Sequence, residues 1–228
     1  MTAEFPASLE ASRRRLQDPH ALGRGGHARR PAVGLGHGDT GPAAKRILVG
    51  YGFWIFLLSD IVMFSGFFAA YAVLQGATAG GPSGRQLFDT RRVAFETAFL
   101  LASSFTCGLS FVAAGARRQL WTQVFLLVTG FLGAGFLALE LSEFIGLAAR
   151  GATPQRSAFL SAFFALVGCH GLHVTAGLLW LGTMMAQVFV KGFQPTVFHR
   201  LLCFNLFWHA LDIIWVAIFT VVYLMGAG

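Results

Sequence analysis

The sequence predicts an all-α membrane protein that crosses the bilayer five times, and three observations lead there. The chain is apolar: 55% of its 228 residues are hydrophobic and only 12% charged, where soluble domains carry roughly a quarter charged residues. Its apolar residues gather into five runs, each longer than the roughly 20 residues that cross a hydrocarbon core. None of the runs shows the alternation over about ten residues that marks a membrane β-barrel. Helices are then the remaining way to satisfy every backbone N–H and C=O in lipid.

Residues 1–46 come first and belong to no run. They are rich in Arg, His, Gly, Ala and Pro, and hold Arg13, Arg14, Arg15, Arg24, Arg29, Arg30, Lys45 and Arg46. With no apolar segment of secretory type, they read as a disordered basic cytoplasmic tail. His20, His27 and His37 are too unevenly spaced there to suggest a metal site.

The first span is read at 47–74, with Asp60 as its one charge, and a Gly/Pro loop follows it. The second, 93–116, lies between Arg91, Arg92 and Arg117, Arg118 and has Glu96 in its first turn. The third, 119–149, is interrupted only by Glu140 and Glu143. The fourth, 157–190, contains FLSAFFALVGCHGLHVTAGLLW (Phe159 to Trp180), which lacks any Asp, Glu, Lys or Arg yet carries His170 and His173. The fifth, 201–228, carries His209 and Asp212.

Lys and Arg set the orientation. With the N-terminus inside, the tail cations, Arg117, Arg118, Lys191 and Arg200 place twelve on the inner side. Arg85, Arg91, Arg92, Arg150 and Arg156 leave five outside. The N-terminus is therefore expected in the cytoplasm and the C-terminus in the periplasm. Depth then sorts the acids and histidines into two layers. Glu96, Glu140 and Glu143 fall in the outer third, and Asp60, His170, His173, His209 and Asp212 fall near the middle.

Ionisable groups inside a membrane are expensive and face other protein. The cheapest arrangement pairs imidazole with carboxylate across helices, so Asp60 is expected beside His170 or His173, and Asp212 is expected to orient His209. Metal binding is a weaker reading, because the Glu-x-x-His pairs of ferritin-like bundles are missing. A complete proton path through this chain alone is not expected, because the inner third holds no acid or imidazole except His199 at its edge, while support of a neighbour's path stays open. Trp208 and Trp215, two turns apart on one face, and Trp54 are read as packing or lipid contacts. Gly66 and Ala70, like Gly130 and Ala134, form small-xxx-small pairs that admit close helix approach. Cys107, Cys169 and Cys203 are isolated and form no redox or zinc pattern. The basic residues are concentrated in the tail, so nucleic acid is not an expected partner. A five-helix chain with buried polar groups and no catalytic apparatus is most readily a subunit of something larger.

Four segments then carry a resemblance: FWIFLLSDIVMFSGFFAAYAVL, ELSEF at Glu140 to Phe144, SAFFALVGCHGLHVTAGLLW, and FWHALDIIWVAIFTVVYLMG. Together they resemble subunit III of the haem–copper respiratory oxidases. The wording is nearest the five-helix, cytochrome bo-type ubiquinol oxidase branch; the mitochondrial type has two further N-terminal helices. The resemblance implies a non-catalytic subunit of a proton-pumping terminal oxidase in the bacterial inner membrane. It implies no haem or copper in this chain, both belonging to the partner subunit I, with further oxidase subunits and bound phospholipid as other partners. It also implies that Asp60 matches an acid that pairs with the HGLHV histidines, and that Glu140 stands where many cytochrome c oxidase relatives have Gln. Subunit III of a cytochrome c oxidase or of a nitric oxide reductase is the alternative. From another class, the alternative is an autonomous metal-binding or proton-translocating membrane protein.

Overall fold

The computed structural model describes residues 45–80 and 90–227, so the tail read over 1–46 lies outside the described residues except at its last two positions. The described residues form five long helices and no strand: α1 Lys45–Leu74, α2 Thr90–Gly115, α3 Gln119–Ala149, α4 Ala158–Lys191 and α5 Pro195–Ile218. A π-helical turn, Phe219–Leu224, and a short helix, Met225–Ala227, continue α5. All five long helices contain a segment long and apolar enough to span a membrane.

Local chemistry sets the helix ends. At the end of α2 the N–H of Arg117 bonds Ala114 O and that of Arg118 bonds Ala113 O, both at 3.0 Å. This is the crossed pair of a Schellman cap. Ser157 caps α4, its Oγ accepting from the Leu160 N–H at 3.2 Å. Gly192, at φ 62°, ends that helix in a left-handed conformation suited to glycine. Pro195 opens α5 at a position where no intrahelical N–H is needed. The last helix therefore starts six residues before the expected 201. Val197 and Leu201 are buried on its inner face, so the intervening His199 and Arg200 ride on a helical turn and not in a loop.

Successive helices run in opposite directions. At one end Gln119 and Gln123 of α3 donate to Val188 O (3.1 Å) and Met185 O (2.8 Å) of α4. At the other, Arg92 of α2 donates to Leu139 O of α3 at 3.1 Å. The α2–α5 helices share one core, and α1 packs chiefly on α4 and α5. Trp54, Ile55, Leu58 and Val62 of α1 face outward.

Two tryptophans of α5 hold the other three core helices together in two tiers. In the first, Trp208 Nε1 donates to Ser103 Oγ of α2 at 3.0 Å. The six-membered part of its ring lies between Gly133 of α3 and Gly177 of α4. A Cβ at Gly133 would come within 2.8 Å of Trp208 Cζ2, and one at Gly177 within 2.9 Å of Cζ3. In the second tier, Trp215 Nε1 donates to Thr97 Oγ1 of α2 at 3.0 Å. Its ring packs edge-on against Phe136 of α3, centroids 4.6 Å apart, and beside His170 of α4 at 5.2 Å. Both indoles are buried, whereas Trp54 is half-exposed on α1. The hydroxyls that accept these bonds also donate to their own helix, Ser103 to Leu100 O and Thr97 to Val93 O. Each is thereby fixed in direction, its single proton committed to its own helix.

Candidate functional site

The intramembrane acids and histidines do not form one network. Glu96, Glu140 and Glu143 come together between α2 and α3, within electrostatic reach of one another. Glu96 is fully buried, and its Oε1 lies 3.6 Å from Nε of the half-exposed Arg92. Arg92 also donates to Leu139 O and to Ser142 Oγ, which ties the start of α2 to the end of α3. Glu143 accepts a long bond, 3.4 Å, from the Tyr223 hydroxyl. Tyr223 sits in the π-helical turn, whose extra residue per turn shifts the phase of the side chains beyond Trp215. Glu140 presses against α4 at Gly171, where a Cβ would stand 2.9 Å from its Oε1.

His170 lies deeper and is fully buried by rings: Phe64 at 6.4 Å, Phe136 at 5.9 Å and Trp215 at 5.2 Å. Neither of its ring nitrogens has a hydrogen-bond partner among the described residues, and the same holds for both carboxyl oxygens of Glu140, whereas Glu96 has its ion pair with Arg92. Unpaired buried groups weaken packing and do not act as glue. The interhelical hydrogen bonds of the two tiers are made by tryptophan with Ser and Thr instead.

The expected pairings resolve differently. No hydrogen bond joins Asp60 to either histidine. His173 turns Nδ1 to the Cys169 carbonyl one turn back, at 2.7 Å, and Asp60, half-buried on α1, lies near Cys169. Equal depth brought these residues to one level, but it carries no information on which way each helix face points. His209 is oriented by Ser104 of α2, whose Oγ is 2.6 Å from Nδ1; Ser104 also interacts with Asp212. Asp212 Oδ1 has no hydrogen-bond partner among the described residues. Asp212 and His209 still lie within electrostatic reach of each other, so the serine joins the expected pair. Because Asp60 makes no hydrogen bond here, Asp60→Ala should change stability by less than about 1 kcal/mol, read as thermal dissociation of the subunit in mild detergent. A loss of several kcal/mol would mean that Asp60 meets a donor from a neighbouring chain.

Among the described residues, no group of three or more His, Cys, Asp or Glu side chains is placed to hold a metal ion. The residues that sequence reasoning missed are Thr97, Ser103, Ser104, Gly171 and Tyr223. Ser and Thr ordinarily bond their own helix backbone, so nothing in their spacing marked them as acceptors for α5.

The whole of this bundle falls within one match: a family model described as cytochrome c oxidase subunit III covers residues 35–227. The chain belongs to the cytochrome c oxidase subunit III family. It is 51% identical over 175 residues to a cytochrome bo(3) ubiquinol oxidase subunit 3 of Pseudomonas putida, spanning 77% of this chain and 84% of that one. It is 52% identical over 179 residues to the protein of the same name from Pseudomonas aeruginosa, spanning 78% and 85%. It is 42% identical over 179 residues to a cytochrome c oxidase subunit 3 of Bacillus sp. (strain PS3), spanning 77% and 84%. With five apolar helices and these bacterial relatives, this subunit III is a multi-pass integral protein of the inner membrane.

Proposed function

We propose that the chain is the non-catalytic subunit III of a proton-pumping cytochrome bo-type ubiquinol oxidase, packed against a subunit I that holds the haems and copper. The observation that carries this is that the two relatives more than half identical to the chain, both from Pseudomonas, are ubiquinol oxidase subunits. The side chains fit a supporting role. His170 is sealed behind three rings and has no cleft in which to meet a substrate. Glu96, Glu140 and Glu143 form a cluster at one end of the bundle, while His209 and Asp212 share a serine in the middle. Such an arrangement offers neither a continuous relay nor an activated nucleophile. The exposed apolar face of α1 supplies a surface for other subunits or for lipid. The distribution of Lys and Arg supports an N-terminus in the cytoplasm.

The test is a reduced-minus-oxidised spectrum of the complex that co-purifies with the tagged chain in mild detergent. Haem bands of b and o type without a c-type band are the expected result. An a-type or c-type band would move the chain to a cytochrome c oxidase. Absence of haem would overturn the oxidase reading altogether and return attention to an autonomous transporter.

A further inference from the structure

We propose that the α2–α5 face bearing Ser104, His209 and Asp212 docks a transmembrane helix of a neighbouring subunit, through a side chain that donates paired N–H groups. The face lies at the middle of the bilayer. The apolar span Pro195–Leu224 has 30 residues, so His209 and Asp212 stand within about 4 Å of its midpoint along the axis. Both are half-buried, and the surface beside them is apolar, with Ile213 72% exposed and Phe105 68%. Acyl chains at that depth offer no hydrogen-bonding group, and ionisable side chains inside a membrane face other protein.

The bonding inside the cluster fixes what the neighbour must bring. Ser104 Oγ lies 2.6 Å from His209 Nδ1, and the same serine interacts with Asp212. A carboxylate only accepts, so the single serine proton turns to Asp212 and the imidazole donates to Oγ from Nδ1. His209 Nε2 is then a lone pair, and Asp212 Oδ1 has no hydrogen-bond partner among the described residues. Both unfilled positions are acceptors, and three residues apart on a helix they share one side of it. An Arg guanidinium or an Asn or Gln amide presents N–H donors in pairs, and the guanidinium would also neutralise the carboxylate. Gly108 stands opposite Nε2, where even a Cβ would be 3.8 Å away, so the edge of the imidazole is left open.

Two other faces make the contrast. The outward residues of α3, among them Leu127, Phe131 and Leu141, are apolar, and lipid alone can cover them. His173, half-buried on α4, already bonds the Cys169 carbonyl through Nδ1 at 2.7 Å. The proposed docking face rests on the reading of the chain as a subunit of a larger membrane complex, and it stands whichever electron donor that complex uses.

A photoreactive benzoylphenylalanine placed at Ile213 of the intact complex in its membrane tests this, with the same probe at Phe131 giving the background. The Ile213 probe should form an adduct with a transmembrane segment of another subunit of the haem-bearing complex. The mapped segment should hold an Arg, Asn or Gln within one helical turn of the attachment point. Asp212→Leu should lower the yield of that adduct about tenfold, the loss expected for one charge-assisted hydrogen bond. The probe alone leaves the polar cluster unchanged, so its adduct decides the matter even where Asp212→Leu fails to assemble. Adducts at Ile213 to lipid alone, or to a second copy of this chain, would overturn the proposal. So would a mapped segment with no paired N–H donor near the attachment point, or an unchanged yield in Asp212→Leu. An adduct to a donor-bearing segment of a complex without haem would keep the docking face and sink only the oxidase reading.

Discussion

Trp215→Ala should cost about 3–5 kcal/mol of subunit stability, the usual toll for removing a fully buried aromatic. The indole is the point at which α2, α3, α4 and α5 meet. It bonds Thr97, covers Phe136 and lies beside His170, and is itself 0% exposed. Within a membrane the loss is felt as van der Waals contact and interhelical hydrogen bonding, because lipid tails offer apolar surface as readily as the core does. Removing the ring would also uncover one side of an imidazole that has no hydrogen-bond partner among the described residues. Trp215→Phe keeps most of the contact and drops one N–H···O bond, so it should cost about 1 kcal/mol, and Thr97→Val should match it. The readout is thermal dissociation of the subunit from the purified complex. If the alanine variant behaved like the phenylalanine one, the hydrogen bond and not the packing would be what the tier supplies.

The five spans were legible because length and charge exclusion suffice to mark a membrane helix. The same uniformity hid what decides the site. α1 is apolar on every side of Asp60, so no face of it is marked as inward by sequence. Asp60 could therefore be assigned a depth but not a direction. Trp208 and Trp215 were legible as sharing a face, seven residues apart. Their acceptors Ser103 and Thr97 were not, since a helical hydroxyl has its own backbone carbonyl to bond. The π-helical turn at 219–224, which brings Tyr223 to Glu143, has no residue signature at all. The early start of α5 was within reach of sequence reasoning, because Pro195 is a standard first helical residue. The polar pair His199 and Arg200 masked it.

The first tier yields the other large effect, and it separates two glycines that look alike in sequence. Gly177→Val should destabilise the bundle by about 3 kcal/mol, the upper range for overpacking. Its new side chain must enter space held by Trp208 Cζ3 at 2.9 Å and Phe207 Cε1 at 3.2 Å. The indole cannot swing away, since Trp208 is pinned by Ser103 on one side and closed in by Gly133 on the other. Gly66→Ala, in the small-xxx-small pair of α1, should instead be neutral or gain up to about 1 kcal/mol from helix propensity, because a Cβ there meets nothing within 4 Å. A double-mutant cycle decides whether the clash is with the indole. Gly177→Ala combined with Trp208→Phe should cost less than the two changes summed, the methyl filling space that the larger ring vacates. Strict additivity would show that Gly177 is needed for its backbone and not for the tryptophan above it. In that case the tier would be held by Ser103 alone.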